Sequence, residues 1–162
     1  MSKLTKKLTK QCGKFLEPGE TIEASVLTSA PGQYTALLAF GFLGPLINRK
    51  LQASKGTVVE GVYTKPAGTA LLFPGGEMFL STTSRGDLVV WKRNFRGRFS
   101  GIHARVPAGA IQTIESDKTK LRTKVTFLFS DGSGLRANVN GNGTFDEFSA
   151  SLSQYGVESI LV

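Results

Sequence analysis

The sequence predicts an α+β fold, mainly β, in which about seven antiparallel strands form a small barrel capped by a C-terminal helix. Three observations carry this expectation. Lys124 to Val139 reads as a hairpin: Val125, Phe127 and Phe129 alternate with Lys124, Thr126, Leu128 and Ser130, the period of two of a half-buried strand. Asp131-Gly132-Ser133-Gly134 can reverse the chain, and Leu135, Ala137 and Val139 alternate on the return. Thr144 to Tyr155 then reads as one helix, with Phe145, Phe148, Leu152 and Tyr155 on a single stripe. Thr144 and Glu147 have the spacing of a capping box, and Gly156 stands where a helix stop is wanted. Nineteen glycines in 162 residues favour turns over long helices.

The elements upstream follow in order. Residues 1–16 form a basic amphipathic helix, with Leu4, Leu8, Cys12, Phe15 and Leu16 on one face and Lys3, Lys6, Lys7, Lys10 and Lys14 on the others. Such a helix either lies on an anionic membrane or packs on the domain with its lysines in water. Residues 17–162 read as one domain, because no composition shift divides them. Glu17-Pro18-Gly19-Glu20 is a turn, and Thr21 to Ser29 is a first strand. An apolar insertion of helical character, at about 31–56, breaks the β pattern. It holds Leu38, Phe40, Phe42 and Leu43, is divided at Gly44-Pro45, and is followed by Asn48-Arg49-Lys50. It can face a membrane, a partner or the barrel. Strands are then expected at Thr57–Tyr63, at Glu77–Thr83 and Asp87–Lys92 around Ser84-Arg85-Gly86, at Gly101–Val106 and at Ile111–Glu115. Trp91 is expected in the core or at the barrel rim.

In this order the elements resemble the bacterial pleckstrin-homology-like family, related in fold to pleckstrin-homology and GRAM domains. The residues that carry the resemblance are Met78 to Trp91, Val106-Pro-Ala-Gly-Ala-Ile111-Gln-Thr-Ile114, and Val125 to Gly132 with the helix Phe145 to Leu152. The match spans roughly Thr21 to Tyr155. It implies a split barrel of seven antiparallel strands capped by a helix, which binds phospholipid, peptide or protein and is not an enzyme. The apolar insertion departs from the family pattern, and it falls where lipid-binding members place basic residues.

Composition points the same way. Twenty Lys and Arg against 12 Asp and Glu leave a formal charge of +8, which suits an anionic partner. With one histidine, His103, and one cysteine, Cys12, a His-based zinc site lacks partners, and no intramolecular disulfide can form. Asn138 to Gly143 lacks the acids of a calcium loop, and Gly141-Asn-Gly143-Thr lacks the Gly-Lys-Ser/Thr of a phosphate loop. No metal or cofactor is therefore expected. Palmitoylation of Cys12 is conceivable from its place in a basic helix.

The basic residues are organised in two sets. Arg85, Lys92, Arg93, Arg96, Arg98, His103 and Arg105 surround the turn Asn94–Ser100, with Phe95 and Phe99 interleaved. Arginine suits forked bonding to phosphate, and a phenylalanine at a loop tip can enter the interfacial layer. Lys118, Lys120, Arg122 and Lys124 would share one side of an extended segment. The expected lipid- or anion-binding residues are Lys92, Arg93, Arg96, Arg98, Arg105, Lys118, Lys120 and Arg122. The expected membrane or partner contacts are Phe95, Phe99, Leu38, Phe40, Phe42, Leu43, Lys3, Lys6, Lys7 and Lys10. The expected function is peripheral association with anionic phospholipid on the cytoplasmic side. The alternatives are a protein-interaction or self-assembling module using the apolar insertion, and nucleic-acid binding through the Phe–Arg run.

Overall fold

The computed structural model describes residues 1–29, 57–59, 62–64, 68–120 and 122–162. The expected apolar insertion, with Leu38, Phe40, Phe42 and Leu43, lies outside them. Helix α1 spans Lys3–Cys12 and continues as a 3-10 turn at Gly13–Phe15. The strands are β1 (Ile22–Ser29), β2 (Thr57–Val59), β3 (Val62–Thr64), β4 (Met78–Thr83), β5 (Asp87–Arg93), β6 (Phe99–Pro107), β7 (Ile111–Lys118), β8 (Arg122–Phe129), β9 (Gly134–Asn140) and β10 (Glu158–Leu161), with helix α2 at Asn142–Ser153. The fold is α+β and mainly β.

Eight strands form one sheet in the order β10-β7-β8-β9-β1-β4-β5-β6. Seven of them are paired antiparallel, while β10 joins the β7 edge in parallel. The ladder does not close on itself: β6 and β10 are its two edges. The single strand expected over Thr57–Tyr63 is instead a separate hairpin, β2 against β3, pairing Thr57 with Thr64.

The sheet has a core on each face. On one, Phe145, Phe148 and Leu152 of α2 meet Ala24, Val26, Leu80, Leu88, Val90, Ile114, Val125, Phe127 and Val139. On the other, Leu8 and Cys12 of α1 meet Ile22, Val89 and Trp91, with Leu4, Phe15, Leu16, Phe79, Phe99 and Ile102 packed around them. The apolar stripe of α1 is therefore buried on the domain, and its lysines face solvent. Ser2 caps the helix, its hydroxyl accepting from the Thr5 N–H at 3.1 Å.

A strict period of two would put Ile22 and Ala24 of β1 on one face. Between them the register against β4 shifts by one, from Ile22↔Thr83 to Ala24↔Thr82, which leaves Glu23 as the extra residue of a bulge. Ile22 thus turns toward α1, whereas Ala24 and Val26 turn toward α2. The bulge is satisfied from both sides. The Ala24 N–H donates to Thr82 Oγ1 at 3.1 Å, and Glu23 accepts from Ser151 Oγ at 2.8 Å and from Tyr155 OH at 3.0 Å.

Helix α2 begins two residues before the expected Thr144, and no capping box forms. Gly141, at a φ of +87°, stands at the N-cap, and Thr144 Oγ1 donates back to the Gly141 carbonyl at 2.7 Å. Glu147 does not reach toward Thr144. Its carboxylate accepts from the Met1 ammonium at 2.7 Å and from the Ser2 N–H at 2.9 Å. A charged donor outcompetes a local backbone N–H for a carboxylate.

Arg105 of β6 makes a forked pair with Glu20 at 2.7 and 2.8 Å and also reaches Asp87 at 3.0 Å. The Arg105 hydrogen bonds hold the buried Glu20 carboxyl down at about 2, against the desolvation that would raise it. A depressed carboxyl stabilises the fold above its unfolded value of 4.5, and that stability is lost as pH falls through about 2. Glu20→Gln is expected to destabilise the protein at pH 7 by about 2 kcal/mol, the scale of a hydrogen bond to a charged group. It should also flatten the fall of stability between about pH 4.5 and 2. Urea unfolding at pH 7 and pH 3 checks both.

Candidate anion-binding groove

The β5–β6 hairpin is built by its turn. Asn94 Oδ1 accepts from the Arg96 and Arg98 N–H groups, both at 3.0 Å, and Asn94 N–H bonds the Arg98 carbonyl at 2.9 Å. Gly97 takes the left-handed conformation that closes the turn, with φ +75°. This frame presents Phe95 at the tip, 93% exposed. The Arg96 guanidinium lies 5.3 Å from the Phe95 ring centre.

Arg93 is a wall of the site rather than a free cation. It donates to the Gly97 carbonyl at 2.9 Å and to Glu77 at 3.0 Å. It also lies over Phe79 and Phe99, at 5.1 and 5.9 Å from their centres. Those two rings meet edge to face at 5.2 Å. Phe99 is therefore half-buried floor, not an inserted tip.

Between this hairpin and α1 runs an open groove of about 390 Å³. One wall carries Lys7, Lys10 and Lys14 of the N-terminal segment; the other carries Arg93 and Arg98, over a floor of Phe79 and Phe99. Lys7, Lys10 and Arg98 are exposed and make no ion pair with a described residue. The two basic segments far apart in sequence, residues 3–14 and 92–98, thus meet at one site. Lys92, Lys3 and Lys6 are exposed but do not line the groove.

The rest of the expected basic surface is arranged differently. Arg105 is paired with Glu20 and Asp87 and does not line the groove. Arg85 belongs to the β4–β5 turn, at the other end of β5. His103 is an exposed bulge residue, left over between the pairs Trp91↔Ile102 and Val90↔Ala104. Lys118 to Lys124 is not one extended run but the β7–β8 hairpin, in which Lys118 pairs with Thr123 and Lys124 with Asp117. Lys118 binds Asp146 at 2.6 Å and Lys124 lies 3.4 Å from Asp117. Arg122 joins Glu115, Asp117 and Arg136 around a second groove of mixed charge, and Lys120 is exposed in the turn. Sequence reasoning missed this neutralisation because Asp146 lies 28 residues from Lys118.

Among the described residues, no group of His, Cys, Asp and Glu could hold a metal ion, and no helix is long and apolar enough to cross a membrane. No family model and no curated protein matches the chain. Among solved structures it is similar to the hSac2 domain from the human phosphoinositide phosphatase Sac2, with 9% identity and a TM-score of 0.42, over 98% of this chain and 88% of that one.

Cys12, the last residue of α1, is fully buried against Ile22, Val89 and Trp91, so the thiol whose position made acylation conceivable is not exposed. Burial pushes its thiol up to about 11, although Lys14 pulls the other way. In the native protein Cys12 is expected to resist thiol reagents at pH 8 and to react within seconds in denaturant; rapid native labelling would show that α1 does not hold it covered.

Proposed function

We propose that the chain is a non-enzymatic, pleckstrin-homology-like binding module that associates with anionic membranes through the β5–β6 hairpin and the lysines of α1. The single observation that carries this reading is the convergence of Lys7, Lys10, Lys14, Arg93 and Arg98 on one groove, beside a phenylalanine 93% exposed at a loop tip. Seven strands paired antiparallel with a C-terminal helix packed on one face support the reading, although the sheet is open where a barrel would close.

The two parts of the site act differently. Cations near an anionic surface each contribute about 1 kcal/mol and are screened by salt. Phe95 adds apolar burial once the tip reaches the interfacial layer. Helix α1 contributes charge only, since its apolar stripe is engaged with Trp91 and Val89.

The double variant Arg96→Ala/Arg98→Ala is expected to weaken partition onto vesicles containing anionic lipid by about 2 kcal/mol, roughly thirtyfold, and to reduce its salt sensitivity. Arg93 is left intact because it also holds Glu77 and the hairpin. Co-sedimentation across a salt series makes the comparison. Unchanged binding by the folded double variant would remove the hairpin from the reading. Absence of vesicle binding, with a mass that rises with concentration, would favour self-assembly through the apolar insertion. Steeply salt-dependent oligonucleotide binding would favour nucleic acid.

A further inference from the structure

We infer that the groove between α1 and the β5–β6 hairpin is a discrete site for a phosphate group, held between the two walls rather than merely attracted to a charged surface. The inference rests on the same groove as the membrane reading but does not require that a membrane carry the phosphate.

Helix α1 meets the sheet through apolar contacts, chiefly Leu8 and Cys12 against Ile22, Val89 and Trp91. On the groove side, Lys7, Lys10 and Lys14 face Arg93 and Arg98, and Glu77 on Arg93 is the one carboxylate paired there among the described residues. Like charges facing across a gap repel. A compact dianion between the walls meets ammonium groups from one side and a guanidinium fork from the other. A phosphate monoester has that charge and those acceptor oxygens, whereas a singly charged carboxylate or phosphodiester satisfies fewer donors.

A ligand that bridges the walls binds the folded protein with α1 docked and not the unfolded chain, so it stabilises by mass action. Inorganic pyrophosphate is the probe. At a hundredfold excess over its Kd it is expected to raise the melting temperature by roughly 5–10 °C, saturably, while sodium chloride of equal ionic strength does not. Trp91, beneath α1, gives a second readout by its fluorescence. Lys10→Ala/Arg98→Ala is expected to lose the saturable shift while melting near the wild type without ligand. Arg85→Ala, at the opposite end of β5, should keep it.

Two vesicle arms identify the carrier. Preference for phosphatidic acid over phosphatidylserine at equal charge density places the phosphate on a lipid. Equal binding to both, with saturable pyrophosphate binding, points to a soluble phosphate ester. If pyrophosphate produces no saturable shift and the two lipids bind alike, the discrete site is overturned, while vesicle binding that persists leaves the membrane reading standing.

Discussion

A sheet that carries a helix on each face needs strands whose side chains are apolar on both sides, and β1 meets this need with one extra residue. The bulge at Glu23 reverses the alternation, so that Ile22 serves the core under α1 while Ala24 and Val26 serve the core under α2. The bulged carboxylate is then turned to the end of α2, where Ser151 and Tyr155 bind it. The neighbouring strands follow the same division. Leu80, Leu88 and Val90 point to one helix, and Phe79, Val89 and Trp91 to the other. Polar atoms on the α1 side are tied off in a buried chain: Trp91 Nε1 donates to Ser81 Oγ at 2.8 Å, which meets Ser25 Oγ at 2.8 Å.

Docking of α1 is what turns a basic segment into part of a site. Its lysines would be an undirected charge run on a free helix. Held against Val89 and Trp91, they instead face Arg98 across a groove. The far end of α1 is fixed as well, because the Met1 ammonium and the Ser2 N–H bind Glu147 of α2. Three cations outside the groove are matched by acids: Arg105 by Glu20 and Asp87, Lys118 by Asp146, Lys124 by Asp117. The groove gathers Lys7, Lys10, Lys14 and Arg98, which make no ion pair with a described residue.

Much of this was legible in the sequence where a local rule governs. The stripe Phe145, Phe148, Leu152 became core, the alternation in β8 held through Phe129, and the basic hairpin turned at Asn94 to Gly97. What failed depends on contacts distant in sequence. Neither the bulge at Glu23 nor the pairing of Glu20 with Arg105, 85 residues away, leaves a local signature. The basic run at Lys118 to Lys124 looked one-sided only on the assumption of an unbroken strand; the β7–β8 turn folds it back on itself. The parallel strand β10 was not foreseen, since Glu158 to Leu161 has exposed side chains throughout and hence no alternation to read. The meeting of the α1 lysines with Arg98 was visible as two basic segments but not as one site.

Hydrogen–deuterium exchange of the whole chain, with and without vesicles containing anionic lipid, tests most directly whether the α1–hairpin groove is the binding surface. Slowed exchange is expected at two separate segments, residues 7–14 and 93–99, with the β4–β5 turn at 84–86 unchanged. Binding that protects other segments and leaves both of these unaltered would contradict this role of the groove.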